Sequence, residues 1–95
     1  MTYYRNLSIN EDAHAVERNG CPVHLTTMEY QLLLTLLAYA GQPCSQDFLL
    51  KTVWHITTPI QTRTVDVHIA KLRKKLELDP EELKTVWRQG YILLP

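Results

Sequence analysis

The hydrophobic periodicity of this chain changes twice within 95 residues. Up to Leu25, apolar residues alternate with polar ones and turn residues interrupt them. From Thr26 to Leu78 they recur at helical spacing, and from Lys84 onward the alternation returns. Side chains repeat every two residues on a strand and about every 3.6 on a helix. The chain is therefore neither a pure bundle nor a pure sandwich. It reads as α+β, with strands at both ends and helices between them.

The strand runs are short. Tyr3 to Ile9 alternates loosely, Asn10-Glu11-Asp12 reads as a turn, and Ala13 to Glu17 alternates again. Asn19-Gly20 predicts a two-residue hairpin, because both residues tolerate positive φ. Pro22 to Leu25 completes a further strand, and Pro22, which has no N–H to give a ladder, belongs at an edge. An N-terminal antiparallel sheet of three or four strands over residues 1–25 follows.

Three helices are predicted over residues 26–78. Thr26-Thr27-Met28-Glu29 fits a capping box, opening a helix to about Ala40. Its apolar residues form two stripes, Tyr30, Leu33, Leu34 and Leu37 on one side and Leu32, Leu36 and Tyr39 on the other, so both sides should be covered. Gly41 stops it, with Pro43 beyond. Ser45 caps a second helix, Gln46 to Trp54, with Leu49, Leu50 and Val53 inward. A connection over 55–61 containing Pro59 leads to a third helix, about Arg63 to Leu78, capped by Thr62 and ended by Asp79-Pro80. Lys84 to Trp87 and Tyr91 to Leu94 then form a hairpin over 84–94, with Arg88-Gln89-Gly90 as its loop and Gly90 left-handed.

Composition bounds the function. One domain is all that 95 residues allow. No apolar run approaches the roughly 20 residues that cross a bilayer, and Met1 to Asn6 does not read as a secretion signal. So short a chain has little room for a deep catalytic pocket, and no nucleophile–base pair is visible, so no enzyme is expected. Cys21 and Cys44 form no CxxC and read as reduced thiols. The four histidines are scattered, so neither a metal nor any other cofactor is expected. Ten basic residues cancel ten acidic ones, but the distribution is uneven. Residues 63–76 carry five basic residues (Arg63, Lys71, Arg73, Lys74, Lys75) and one acid, Asp66. The local patch matters more than the sum.

Turning about 100° per residue along the third helix, Val65, Ile69, Leu72 and Leu76 fall on one seam. Arg63, Val67, Ala70, Lys71 and Lys74 face the opposite way. His68 and Lys75 flank one side, Arg73 and Asp66 the other. A basic face with small apolar groups at its middle suits a DNA major groove: cations reach phosphates and guanine, and apolar groups approach thymine methyls. Asp66 is expected to favour the helix dipole or to pair with Arg63. His68 either packs on its helix flank or donates its one neutral N–H to a phosphate. Trp54 reads equally as core or contact. Trp87 fills a gap behind the wing, stacks on sugar or base, or meets another protein.

The run Thr62-Arg63-Thr64-Val65-Asp66-Val67-His68-Ile69 resembles the recognition helix of OmpR/PhoB response regulators. Leu25-Thr26 with Met28-Glu29-Tyr30, Leu49-Leu50 with Val53-Trp54, and Thr85-Val86 with Gly90-Tyr91 resemble the rest of the same domain. The resemblance runs from the first strand to Leu93. It implies a winged helix-turn-helix domain, with a receiver domain absent from these residues and a sensor kinase acting on the full-length protein. The chain then reads as a piece of a longer regulator, in preference to a stand-alone effector. Bacterial cytoplasm is the implied location.

The implied DNA-binding set is Arg63, Thr64, Val67, His68, Lys71, Arg73 and Lys74 on the helix, in the major groove. Trp54 would contact the backbone, with Thr85, Arg88 and Tyr91 from the wing over 85–93 on backbone or minor groove. Direct-repeat half-sites bound by a head-to-tail dimer, and a contact of loop 55–61 with RNA polymerase, are also implied. Two departures stand out. Ala70 replaces a common basic residue, and Trp87 stands where Arg usually follows Thr-Val. The zero net charge leaves a second reading open, a winged-helix protein–protein interaction module binding an acidic partner.

Overall fold

A computed structural model of the chain describes residues 1–58 and 60–95. Four strands come first: β1 (Thr2–Tyr4), β2 (Leu7–Asn10), β3 (Ala15–Arg18) and β4 (Cys21–Val23), paired antiparallel in chain order. Ile9 lies opposite Val16, and Val16 opposite Val23, so one apolar row crosses the sheet toward the helices. Leu7, Ile9 and Val16 are buried. The Asn19-Gly20 hairpin forms with both residues at positive φ (51° and 81°). Pro22 lies on the edge strand, as its missing N–H requires.

The run from Tyr3 to Ile9 is not one strand. It folds back at Arg5-Asn6, with Arg5 at φ 51°. Asn6 is a turn former but Arg5, which takes the left-handed position, is not, so the turn signal is only half present. The strand expected from Ala13 starts at Ala15, because the turn extends through His14, also at φ 51°.

Helix α1 (Thr27–Ala38) opens on the expected capping box. Glu29 N–H donates to Thr26 Oγ1 (3.2 Å), and Thr26 N–H donates to the Glu29 carboxylate (2.9 Å). Leu32, Leu33 and Leu36 are buried, whereas Tyr39 is exposed beyond the helix end, its ring edge-on to Phe48. Helix α2 (Gln46–Trp54) is capped by Ser45, whose Oγ accepts from Phe48 N–H, and buries Leu49, Leu50 and Val53.

Helix α3 (Thr64–Leu76) seals Val65, Ile69, Leu72 and Leu76, each 1% exposed or less. Its ends differ from expectation. Arg63 holds the cap position and no side chain caps the helix, while Thr62 Oγ1 accepts from Thr64 N–H. The helix stops at Glu77, left-handed at φ 52°, before Asp79-Pro80 is reached.

The hairpin comprises β5 (Leu83–Val86) and β6 (Gly90–Leu93), with Trp87, Arg88 and Gln89 as its loop. Arg88 takes a left-handed conformation (φ 61°) in addition to Gly90 (φ 114°). The segment before α2 runs beside β6. Cys44 N–H donates to Tyr91 O (2.7 Å), Tyr91 N–H to Cys44 O (2.9 Å), and Gly41 N–H to Leu93 O (2.8 Å). This bridge dictates glycine at 90, where a Cβ would stand 2.0 Å from Cys44 O. Among the described residues, no helix is long and apolar enough to cross a membrane.

Candidate nucleic-acid interface

With its apolar seam sealed against the core, α3 turns Arg63, Val67, Ala70, Lys71 and Lys74 to solvent, Val67 being 46% exposed. Nine of the ten acids lie outside α3, and three of those are in ion pairs. Glu82 pairs with Arg5 (3.4 Å), Glu77 with Arg18 (3.0 Å) and Glu29 with Lys75 (2.6 Å). Net neutrality of the chain thus coexists with a cationic α3 face.

Not every cation of α3 belongs to that face. Lys75 turns toward the sheet side and donates to Glu29, whose carboxylate is 1% exposed. Burial pushes the Glu29 carboxyl up. The hydrogen bonds from Lys75 and Thr26 and the Lys75 charge outweigh it, and the value is held below the usual carboxylate range.

Arg73 turns toward the wing. Its Nε and Nη2 donate to Leu83 O (3.0 and 2.6 Å), and Nη2 also reaches Thr85 Oγ1 (3.0 Å). The guanidinium lies 5.9 Å from the centroid of the Tyr91 ring. Its Nη1 makes no hydrogen bond among the described residues. Arg73 therefore ties β5 to α3 while one edge of its fork stays available.

Asp66 does not pair with Arg63. It accepts hydrogen bonds from Gln46 Nε2 (2.7 Å) and from the Tyr91 hydroxyl. Burial, then the hydrogen bond and charge of Asp66, push the Tyr91 phenol up to about 12, against the opposing Arg73 charge. The phenol thus stays a donor at neutral pH. Tyr91 is 7% exposed with its hydroxyl turned inward. This corrects its expected place on the DNA-facing surface: Tyr91 joins α2, α3 and the wing through Asp66.

The structure brings Trp54 and His68 together, ring centroids 4.9 Å apart at 77°, both half-buried. His68 Nδ1 lies 2.8 Å from Thr64 O. A carbonyl only accepts, so Nδ1 carries the proton and donates. The neutral ring then has only an acceptor, Nε2, to offer outward. The expectation that neutral His68 donates to a phosphate is corrected: such a contact needs the doubly protonated ring. Thr64 is half-buried, its Oγ1 2.8 Å from Thr62 Oγ1.

At the wing tip Trp87 is 82% exposed, which removes the gap-filling reading. Arg88 is exposed beside it. Sequence reasoning missed the roles of Gln46, Glu29 and Lys75. Glu29 was visible as half of a capping box, but its partner lies 46 positions away. Among the described residues, no group of three or more His, Cys, Asp or Glu is arranged to hold a metal.

A helix pair whose second member shows a basic face, followed by a hairpin bolted to that helix, defines a winged-helix domain. Comparison with known proteins agrees. The family model described as transcriptional regulatory protein, C terminal, matches residues 20–93, and the chain belongs to that family. It is 47% identical over 91 residues to the probable transcriptional regulator ycf27 of Porphyridium aerugineum, covering 90% of this chain and 38% of that protein.

Among solved structures, it is similar to the RstA DNA-binding domain of Klebsiella pneumoniae in complex with the RstA box. The TM-score is 0.89 and the identity 34%, over 100% of this chain and 96% of that one. It is also similar to the response regulator DrrB, a Thermotoga maritima OmpR/PhoB homologue, with TM-score 0.85 and 32% identity over 99% of this chain and 44% of that one. The OmpR/PhoB resemblance seen in the sequence is borne out. The chain spans about two-fifths of the length of the curated relative, 38%.

Proposed function

We propose that this chain is the effector domain of a two-component response regulator and binds duplex DNA in a sequence-specific manner to regulate transcription. The observation that carries the reading is the exposed Arg63–Val67–Lys71–Lys74 face of α3, where the helix's one acid, Asp66, is engaged by Gln46 and Tyr91. The RstA relative's complex with its box supports it. Lys71 reads base edges and Val67 meets thymine methyls. Arg63, Lys74, Thr64 and the free edge of Arg73 hold phosphates. His68 adds a further contact through Nε2, with Trp54 setting its ring. Thr85 and Arg88 extend the contact onto the wing. The acidic-partner alternative has no observation in its favour.

Finer parts of the reading rest on the family. The full-length protein joins this domain to a receiver, answers to a sensor kinase and works in the bacterial cytoplasm. Two copies bind direct repeats head to tail, about one helical turn apart. Loop 55–61 meets RNA polymerase. Exposed Ile60, and a recess of about 210 Å³ lined by Phe48, Lys51, Ile56 and Thr57, support a protein contact there. Pro59 of that loop lies outside the described residues.

The test is selection of bound sequences from a random duplex library, followed by salt titration on the selected site. Binding should weaken steeply with salt, and Lys71→Ala should change base preference at one or two positions. An equal loss on every sequence would remove Lys71 from base readout. No salt-sensitive duplex binding at all would sink the DNA reading.

A further inference from the structure

The tip of the wing carries the most exposed large apolar side chain of the described residues, Trp87 at 82%. It is held out from a rigid base. Arg73 clamps Leu83 and Thr85, Asp66 holds the Tyr91 hydroxyl, and Gly90 is seated against the backbone of Cys44 and Ser45. Thr85 turns its side chain to Arg73 of α3, and Trp87 follows two positions later.

The left-handed backbone at Arg88 (φ 61°) folds its guanidinium to 5.7 Å from the Trp87 ring centroid. Arg88 and Gln89 follow it in the loop, both exposed, and among the described residues no other exposed large apolar side chain lies on the wing. A lone aromatic beside a cation does not resemble the apolar centre of a protein interface. It matches a sugar–phosphate strand, which offers an apolar deoxyribose face next to an anion.

Resting on the DNA reading above, we propose that Trp87 is a DNA-contacting residue. Its indole packs on deoxyribose at the edge of the minor groove next to the half-site, and Arg88 meets the adjoining phosphate. The wing of this protein then gains affinity from an apolar contact that salt does not screen. A cation at the same position would act through counterion release instead.

The test measures binding to a selected single half-site duplex over a range of salt, for wild type, Trp87→Ala, Trp87→Phe and Trp87→Arg. Circular dichroism and thermal melting check that all four fold, as they should for so exposed a position. Trp87→Ala should lose about fivefold to tenfold in affinity, within the range of aromatic stacking on nucleic acid, with an unchanged salt slope. Trp87→Phe should keep most of the affinity. Trp87→Arg should recover binding at low salt and lose it at high salt, its slope steeper by about one.

Trp87→Ala binding within twofold of wild type at every salt would overturn the proposal. So would a loss seen only on a duplex with two half-sites, which would make Trp87 a contact between protein copies. Failure of the wild type to bind any duplex would instead refute the DNA reading itself, so the two failures are distinguishable.

Discussion

The two β regions of this domain are held by different physics. The N-terminal sheet is fixed by apolar burial: Leu7, Ile9 and Val16 are each 3% exposed or less, and tight turns set its register. The wing has only two strands of four residues, too few to be stable alone. Leu83 and Leu93 anchor its base in the core. Its orientation comes from polar contacts with Arg73 and Asp66 of α3, and with the Cys44 backbone. Helix α3 therefore carries the candidate reading face and also aims the wing. Its third polar tie, Lys75 to Glu29, runs to the start of α1, just after the sheet's last strand.

Glycine substitution breaks this comparison most sharply. Gly90→Ala places a Cβ 2.0 Å from Cys44 O at a residue with φ 114°. Backbone, not a flexible side chain, is in the way, so the wing must lift from the 41–44 segment. The expected cost is about 4 kcal/mol, from overpacking and left-handed strain together. Gly20→Ala in the sheet hairpin also meets positive φ, 81°, but open space. Strain alone costs about 1 kcal/mol. Urea denaturation of both variants checks the ratio. Equal costs would mean that the wing is not seated against Cys44.

What the sequence makes legible follows the same division. The α3 seam, the Thr26 and Ser45 caps and the Asn19-Gly20 hairpin are local or periodic signals, and each appears where expected. The outward face of α3 was equally readable. Which of its cations are already engaged was not. Lys75 and Arg73 sit in the same basic run as Lys71 and Lys74, yet their partners lie 46 and 10 positions away. The Gln46–Asp66–Tyr91 cluster joins residues 20 and 25 apart on three elements. Such pairs leave no periodic trace, so the position of the wing had to come from the fold.

The sheet-side tie is sharpened by pH. The Glu29 carboxyl is depressed in the folded state, so its contribution is present above the ordinary carboxyl value. It is lost as pH falls through the depressed one. Glu29→Gln keeps the shape but loses the charge-assisted bond to Lys75. At pH 7 it should destabilise by about 1.5 kcal/mol. The gap from wild type should shrink on acidification, because wild type then loses what the variant already lacks. Denaturation midpoints measured from neutral to acidic pH check this. A gap that does not narrow would mean that the ion pair adds nothing beyond the capping box. The wing ties, by contrast, use the Tyr91 phenol, which stays protonated to about 12 and adds no slope near neutrality.

The smallest expected effect lies on the solvent face of α3, away from both ties. His68 is held between Trp54 and Thr64, its Nδ1–H already given to the Thr64 carbonyl. Nε2 is then the ring nitrogen left to meet a phosphate. His68→Ala should lose about threefold in affinity and His68→Gln should keep most of it, in keeping with a single surface hydrogen bond to a charged acceptor. Fluorescence anisotropy on one duplex at constant ionic strength measures it. Unchanged affinity in His68→Ala would mean that His68 only packs against Trp54, leaving phosphate contact to Arg63, Lys74 and the free edge of Arg73.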